Sequence, residues 1–242
     1  MERDYSVLIV GAAIVLVPES EDLAAYDDVV NSVLLAQLVA NKQAAKDPQI
    51  NWYDVYAHVL DDFWLRYIKA REDQYLSPGS DSSMLQSLVA VMSRMGVEQG
   101  QLTAQTLSRL AGISPVHPAI NLLRTHMHRP TTAPMSAEAA AVNTRHLLVM
   151  VAATPASFSS VYLSFETEQD LSPNPLTFLH QAENGHGLLT LRYAQANLSE
   201  LLYDLARETV SGKVKDRIAA NVALLAQDDP PLAVEPPRGT GA

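Results

Sequence analysis

The chain holds 242 residues, 48% of them hydrophobic, with 17 basic against 27 acidic side chains and a net charge of −10. That length and apolar share supply a sizeable core for one large domain or two small ones, which excludes wholesale disorder. The acid excess disfavours nucleic acid and anionic membranes, which need bases gathered locally, and the absence of cysteine excludes disulfides, thiol nucleophiles and thiolate metal sites.

Ser6 to Val17 (SVLIVGAAIVLV) is an apolar run too short to span a bilayer as a helix. Glu2 and Asp4 stand against Arg3 before it, and no small-residue cleavage site precedes Pro18, so it makes a poor signal peptide. The run reads as a buried strand or a short buried helix. A second expectation is a segment exposed in some state that contacts a membrane or a partner. The chain is expected to be cytoplasmic, or secreted without a cleavable signal peptide.

Ser20 is placed to cap a helix over residues 21–46, with Glu21 and Asp22 at the positive end of its dipole. Leu23, Tyr26, Val30, Val33, Leu34, Gln37 and Leu38 follow at helical spacing, and Asp47-Pro48 stops them. Asn51 caps a second expected helix, residues 52–75. At 100° per residue, Asp54, His58, Asp61, Asp62 and Lys69 fall on one arc, while Trp52, Tyr56, Leu60, Phe63, Trp64 and Tyr67 cover the other. Further helices are expected at 83–95, 103–111 and about 119–127, with Gly96 and Gly112 as stops. Residues 129–134 (RPTTAP) form the best candidate boundary.

Beyond it the period changes. Residues 146–153 form a continuous apolar run suited to a strand buried on both faces. Val161, Leu163 and Phe165 alternate with Tyr162, Ser164 and Glu166, the period of a half-buried strand. Residues 188–193 make a third strand. Leu198, Leu201, Leu202 and Leu205 return to helical spacing, and Val214, Ile218, Val222 and Leu225 continue it. The reading is α+β: a mainly helical region at 1–130, a strand-rich region with a closing helix at 135–227, and a disordered proline-rich tail at 228–242.

Four residue sets invite a functional reading. His180, Glu183 and His186 have the spacing H-x-x-E-x-x-H, which differs from the zinc-protease helix; Asn184-Gly185 and Gly187 place them on a loop, as a candidate ligand-binding site. His117, His126 and His128 lack a nearby carboxylate to complete a metal set, so no metal is expected. His58 stands one helical turn from Asp62, a proton-transfer couple if buried and a solvated stripe otherwise. Residues 102–123 resemble the first helix and glycine turn of a DNA-binding helix-turn-helix, but Pro115 and Pro118 fall where the recognition helix belongs and few bases lie near. No nucleophile elbow and no phosphate-binding glycine loop is present, so no catalytic residue or cofactor is assigned.

The expectation that follows is a non-enzymatic interaction or self-assembling protein whose partner is another protein or itself. A bacterial effector or pore-related toxin component is its narrower form, with membrane contact through Ser6 to Val17. The alternatives are a hydrolase or small-molecule enzyme at His180, Glu183 and His186, and a helix-turn-helix regulator.

Overall fold

A computed structural model describes residues 5–19, 22–47, 49–77, 79–130, 143–182 and 187–225. The Ser20 cap, residues 131–134, Glu183, His186 and the 228–242 tail lie outside the described residues. The apolar run at the N-terminus folds back on itself as two strands, β1 (Tyr5–Val10) and β2 (Ala13–Pro18). Gly11 makes the turn, with φ of +57°, a left-handed conformation that a side chain disfavours. Gln37 seals the turn from the following helix. Its Oε1 accepts from Ala12 N at 2.9 Å, and its Nε2 donates to Val10 O at 2.7 Å, both buried.

Asp22 caps a short 3-10 turn, Leu23–Tyr26, by accepting from Ala24 N, and α1 (Asp27–Lys46) follows. Asn51 accepts from Asp54 N and opens α2 (Trp52–Asp61). The expected helix over 52–75 ends there, and the remainder is a strand, β3 (Trp64–Tyr75). Pairing with a distant strand overrides the local pattern. A bulge between Arg66 and Ile68 also breaks the two-residue alternation that would have marked the strand in sequence.

β4 (Asp81–Ser83) leads into α3 (Met84–Met95), α4 (Val97–Ala111) and α5 (Pro118–His126), then β5 (His128–Pro130). Pro118 is the first residue of α5, where its missing N–H costs nothing, so it starts the helix and does not interrupt one. The chain continues through β6 (Asn143–Thr154), β7 (Ser157–Thr167), β8 (Leu179–Gln181) and β9 (Leu188–Leu198). It closes with α6 (Glu200–Asp204), α7 (Arg207–Val214), α8 (Ile218–Asn221) and β10 (Val222–Leu225). Val222 and Leu225, expected on a helix, lie in β10, which pairs with β1.

The fold is α+β. One mixed sheet runs β10-β1-β2-β6-β7-β9-β3, with β5 on the start of β6, and β4 and β8 form a separate pair. Within the large sheet, β2 and β6 are parallel and the other pairs antiparallel. Strands from both sides of residue 130 share this sheet. Each face carries its own core. On one, Ile9, Leu147, Val149, Leu163 and Leu191 pack against Leu88 of α3, Leu110 of α4 and Ile120 of α5. On the other, Val15, Leu148, Met150 and Tyr162 pack against Val33 of α1, Trp52 and Tyr56 of α2, and Val214 of α7. Each buried aliphatic side chain contributes roughly 1.5–3 kcal/mol. The two faces together make β7 buried along most of its length, where its sequence alternation suggested one wet face.

Candidate ligand-binding cleft

Beyond the end of the buried sheet, α2 and the paired strands β3 and β9 leave a cleft of about 480 Å³. That volume lies in the range of small-molecule sites, roughly 300–1,000 Å³. The register decides what enters it. Trp64 stands opposite Leu198, Arg66 opposite Ala196, Lys69 opposite Ala194 and Arg71 opposite Arg192. These positions share the sheet face that α2 covers with Tyr53, Asp54, His58 and Asp61.

Four cations line the cleft with distinct commitments. Arg66 is engaged by Asp61 through both carboxylate oxygens, at 2.5 and 2.6 Å, and this contact raises its pKa further. Arg192 donates through Nη1 to Asp54 Oδ1 at 2.8 Å, and its guanidinium lies 4.9 Å over the Tyr53 ring. Its Nε is buried with no partner among the described residues. Arg71 pairs with Asp73 at 2.8 Å. Lys69 is exposed and makes no ion pair among the described residues. Burial pushes the Tyr53 hydroxyl pKa up, against a smaller opposing pull from Arg66 and Arg192.

This cleft gathers charge and hydrogen-bond donors, and its lining includes no serine, threonine or cysteine. His58 lines it beside Asp61, while Asp62, its expected partner, is the residue that ends α2. No hydrogen bond joins His58 to either carboxylate among the described residues. Of the cleft residues, Asp54, His58, Asp61 and Lys69 were legible as one polar arc. Arg66, Arg71 and Arg192 were not, because the β3–β9 pairing that assembles them is non-local, and Tyr53, on α2, was not singled out.

The histidines of the sequence reading disperse. His180 lies in β8 opposite Ser82, fully buried, with its ring 4.6 Å from that of Phe165. Glu183 and His186 fall outside the described residues. His117 caps α5, its Nδ1 accepting from Ala119 N at 3.2 Å. His126 ends the same helix, and burial lowers its pKa. His128 follows in β5, its ring against the Arg145 guanidinium. A nine-residue helical separation puts His117 about 13 Å from His126. No cluster of three histidines or acids able to hold a metal occurs among the described residues.

The other sequence candidates serve packing. Leu107, Leu110, Ile113, Ile120 and Leu123 of the 102–123 segment all enter one core. Asn174 closes the end of α4, donating to Leu110 O at 2.8 Å and Ile113 O at 3.1 Å. Residues 7–17 are buried in the N-terminal hairpin. The segment Leu23–Lys46 is long and apolar enough to cross a membrane, with a mean hydropathy of 1.3, but 56% of that stretch is buried against the sheet.

The class defined by these features is an α+β protein with one mixed sheet between helical layers and a polar cleft at the sheet's outer strand. No protein-family description matches the chain, and no curated protein matches it. Among solved structures it is similar to a delta-endotoxin, at a TM-score of 0.36 and 10% identity, over 77% of this chain and 80% of that one. It is also similar to the Evf virulence factor, at a TM-score of 0.34 and 12% identity, over 87% of this chain and 83% of that one. Neither value reaches the level at which two chains share a fold.

Proposed function

We propose that this chain acts through contact surfaces and not through catalysis, assembling with a second copy of itself along the open edge of β3. The observation that carries this reading is the character of that edge. β3 is 12 residues long, about 40 Å, and pairs only with β9 among the described residues. Tyr75 on it is 79% exposed, and Leu65, Tyr67 and Ile68, at 58%, 59% and 43% exposed, flank the stretch 69–75. A long unpaired strand edge is a template for another strand, and the charges on this one, Arg71, Glu72 and Asp73 among them, make such pairing selective. The opposite edge of the sheet, β10, offers only four residues.

Charge supports a two-fold pairing. With Glu72 at the axis of an antiparallel β3–β3 contact, Arg71 of each copy faces Asp73 of the other. Each Glu72 keeps its own Arg94 as counter-ion, which offsets the like-charge contact at the axis. The bulge at Tyr67 restricts the register and so disfavours indiscriminate addition. In sedimentation, the wild-type chain is expected to run as a dimer or larger species. The variant Arg71→Asp, which sets two acidic side chains face to face at each cross-copy position, is expected to run as a monomer with unchanged far-UV circular dichroism. A wild-type chain that stays monomeric at every concentration removes the reading.

The narrower form of this proposal, a bacterial effector or pore-related toxin component, places the assembly at a membrane. It is supported by strand length: β6 and β7, at 12 and 11 residues and largely buried, are long enough for a tilted strand to cross a bilayer. Residues 6–17 would reach lipid only after α1 leaves the sheet. Dye release from liposomes tests this form, and liposomes left intact across the pH range exclude it.

A further inference from the structure

We propose that the cleft between α2 and the β3–β9 pair binds a phosphate group carried by a small molecule or a lipid headgroup, with Lys69, Arg71 and Arg192 as its ligands. This inference shares Arg71 with the proposed strand-edge contact but does not depend on that contact. It begins with an arrangement that folding alone disfavours. Arg71 and Arg192 stand directly opposite each other across two antiparallel strands, where like charges repel. Lys69 lies two residues along the same face with no carboxylate of its own. A chain with ten more acidic than basic residues nevertheless places four cations against three carboxylates here, Asp54 and Asp61 in the cleft lining and Asp73 beside Arg71.

The commitments of the four cations sort their roles. Arg66 has both of its forked donors satisfied by Asp61 and closes the cleft wall. Arg192 gives Nη1 to Asp54 and lies over the Tyr53 ring, so its guanidinium is held at two points with donor capacity to spare. Arg71 gives Nε and Nη2 to Asp73, at 3.2 and 2.8 Å, and with its side chain 57% exposed it has Nη1 left for a ligand. Lys69 contributes three rotatable donors. A pre-positioned guanidinium fork beside a lysine point charge suits an oxyanion that accepts from several directions, as phosphate does. The volume exceeds that of a bare anion, so the phosphate is carried on a larger group. A nucleic acid is a poor occupant, because the rest of this acidic surface repels a long polyanion.

The test titrates the full chain by calorimetry with inorganic phosphate and, in a second arm, measures co-sedimentation with phosphatidylcholine vesicles with and without phosphatidic acid. Lys69→Gln removes an exposed, unpaired side chain and is expected to fold normally while weakening binding about tenfold. Arg192→Gln is expected to weaken it at least as much. Lys42→Gln, an exposed cation on α1 away from the cleft, is expected to leave it unchanged. Lys69-dependent binding in both arms assigns the site to the phosphate group. The same dependence in one arm alone assigns it to a soluble ligand or to a headgroup. Binding to neither probe, or binding that Lys69→Gln leaves at the wild-type level, overturns the proposal. Sedimentation of Lys69→Gln, run in parallel, separates loss of ligand from loss of assembly.

Discussion

At the scale of single residues, a few polar side chains settle questions that the apolar residues leave open. Gln37 is almost fully buried on a helix whose inward positions are mostly apolar, and it spends both ends of its amide on the backbone around Gly11. A Cβ at Gly11 would lie 2.6 Å from Gln37 Oε1, and the φ of +57° strains any L-residue there. Gly11→Ala is therefore expected to lower stability by about 1–3 kcal/mol, read as a shift of the urea midpoint at constant slope. An unshifted midpoint would mean that the amide bridge adjusts freely. In sequence Gly11 sat within an apolar run and Gln37 at a helically spaced position, and nothing in their separation of 26 positions said that they meet.

Among elements, β3 is the instructive case. Residues 52–75 carry a helical arc of polar groups convincing enough to predict one helix, and the first ten of them obey it. The remainder has no comparable preference of its own. Residues 64–75 become a strand because β9 offers them a ladder running from Trp64↔Leu198 to Tyr75↔Leu188. The helices at 84–95 and 27–46, by contrast, were legible because their stop signals and apolar faces are local. The charge order along β3 makes a further expectation. Arg71→Asp should disperse the assembled species in sedimentation, and the swap Arg71→Asp with Asp73→Arg should restore it, since the swap returns opposite charges to both cross-copy positions. Dispersal that persists in the swapped chain would argue against the proposed register.

For the molecule as a whole, one sheet forms a wall common to two cores. The core under α3, α4 and α5 and the core under α1, α2 and α7 share the backbone of β1, β2, β6, β7 and β9. A loss on one face is therefore felt on the other. Leu88, fully buried on α3, lies in the first core, whereas both tryptophans, Trp52 and Trp64, lie in the second. Leu88→Ala is expected to cost about 3 kcal/mol. It should shift tryptophan fluorescence and far-UV circular dichroism together in a denaturant titration. Separate transitions would show that the two layers unfold independently.

What the sequence determined by itself was what short-range physics controls. It set the acidic, cysteine-free composition, the α+β content, the caps at Asn51 and Gly96, and the strand at 146–153, whose continuous hydrophobicity already required cover on both faces. Tertiary structure alone decided the rest: that residues 64–75 extend, that residues 222–225 close the far edge of the sheet, and that Lys69 and Arg71 come to lie beside Arg192. The reason is that strand pairing joins residues more than a hundred positions apart through backbone hydrogen bonds, which are the same for every side chain. The register is then fixed by which faces can be buried, and no local window of sequence contains that choice.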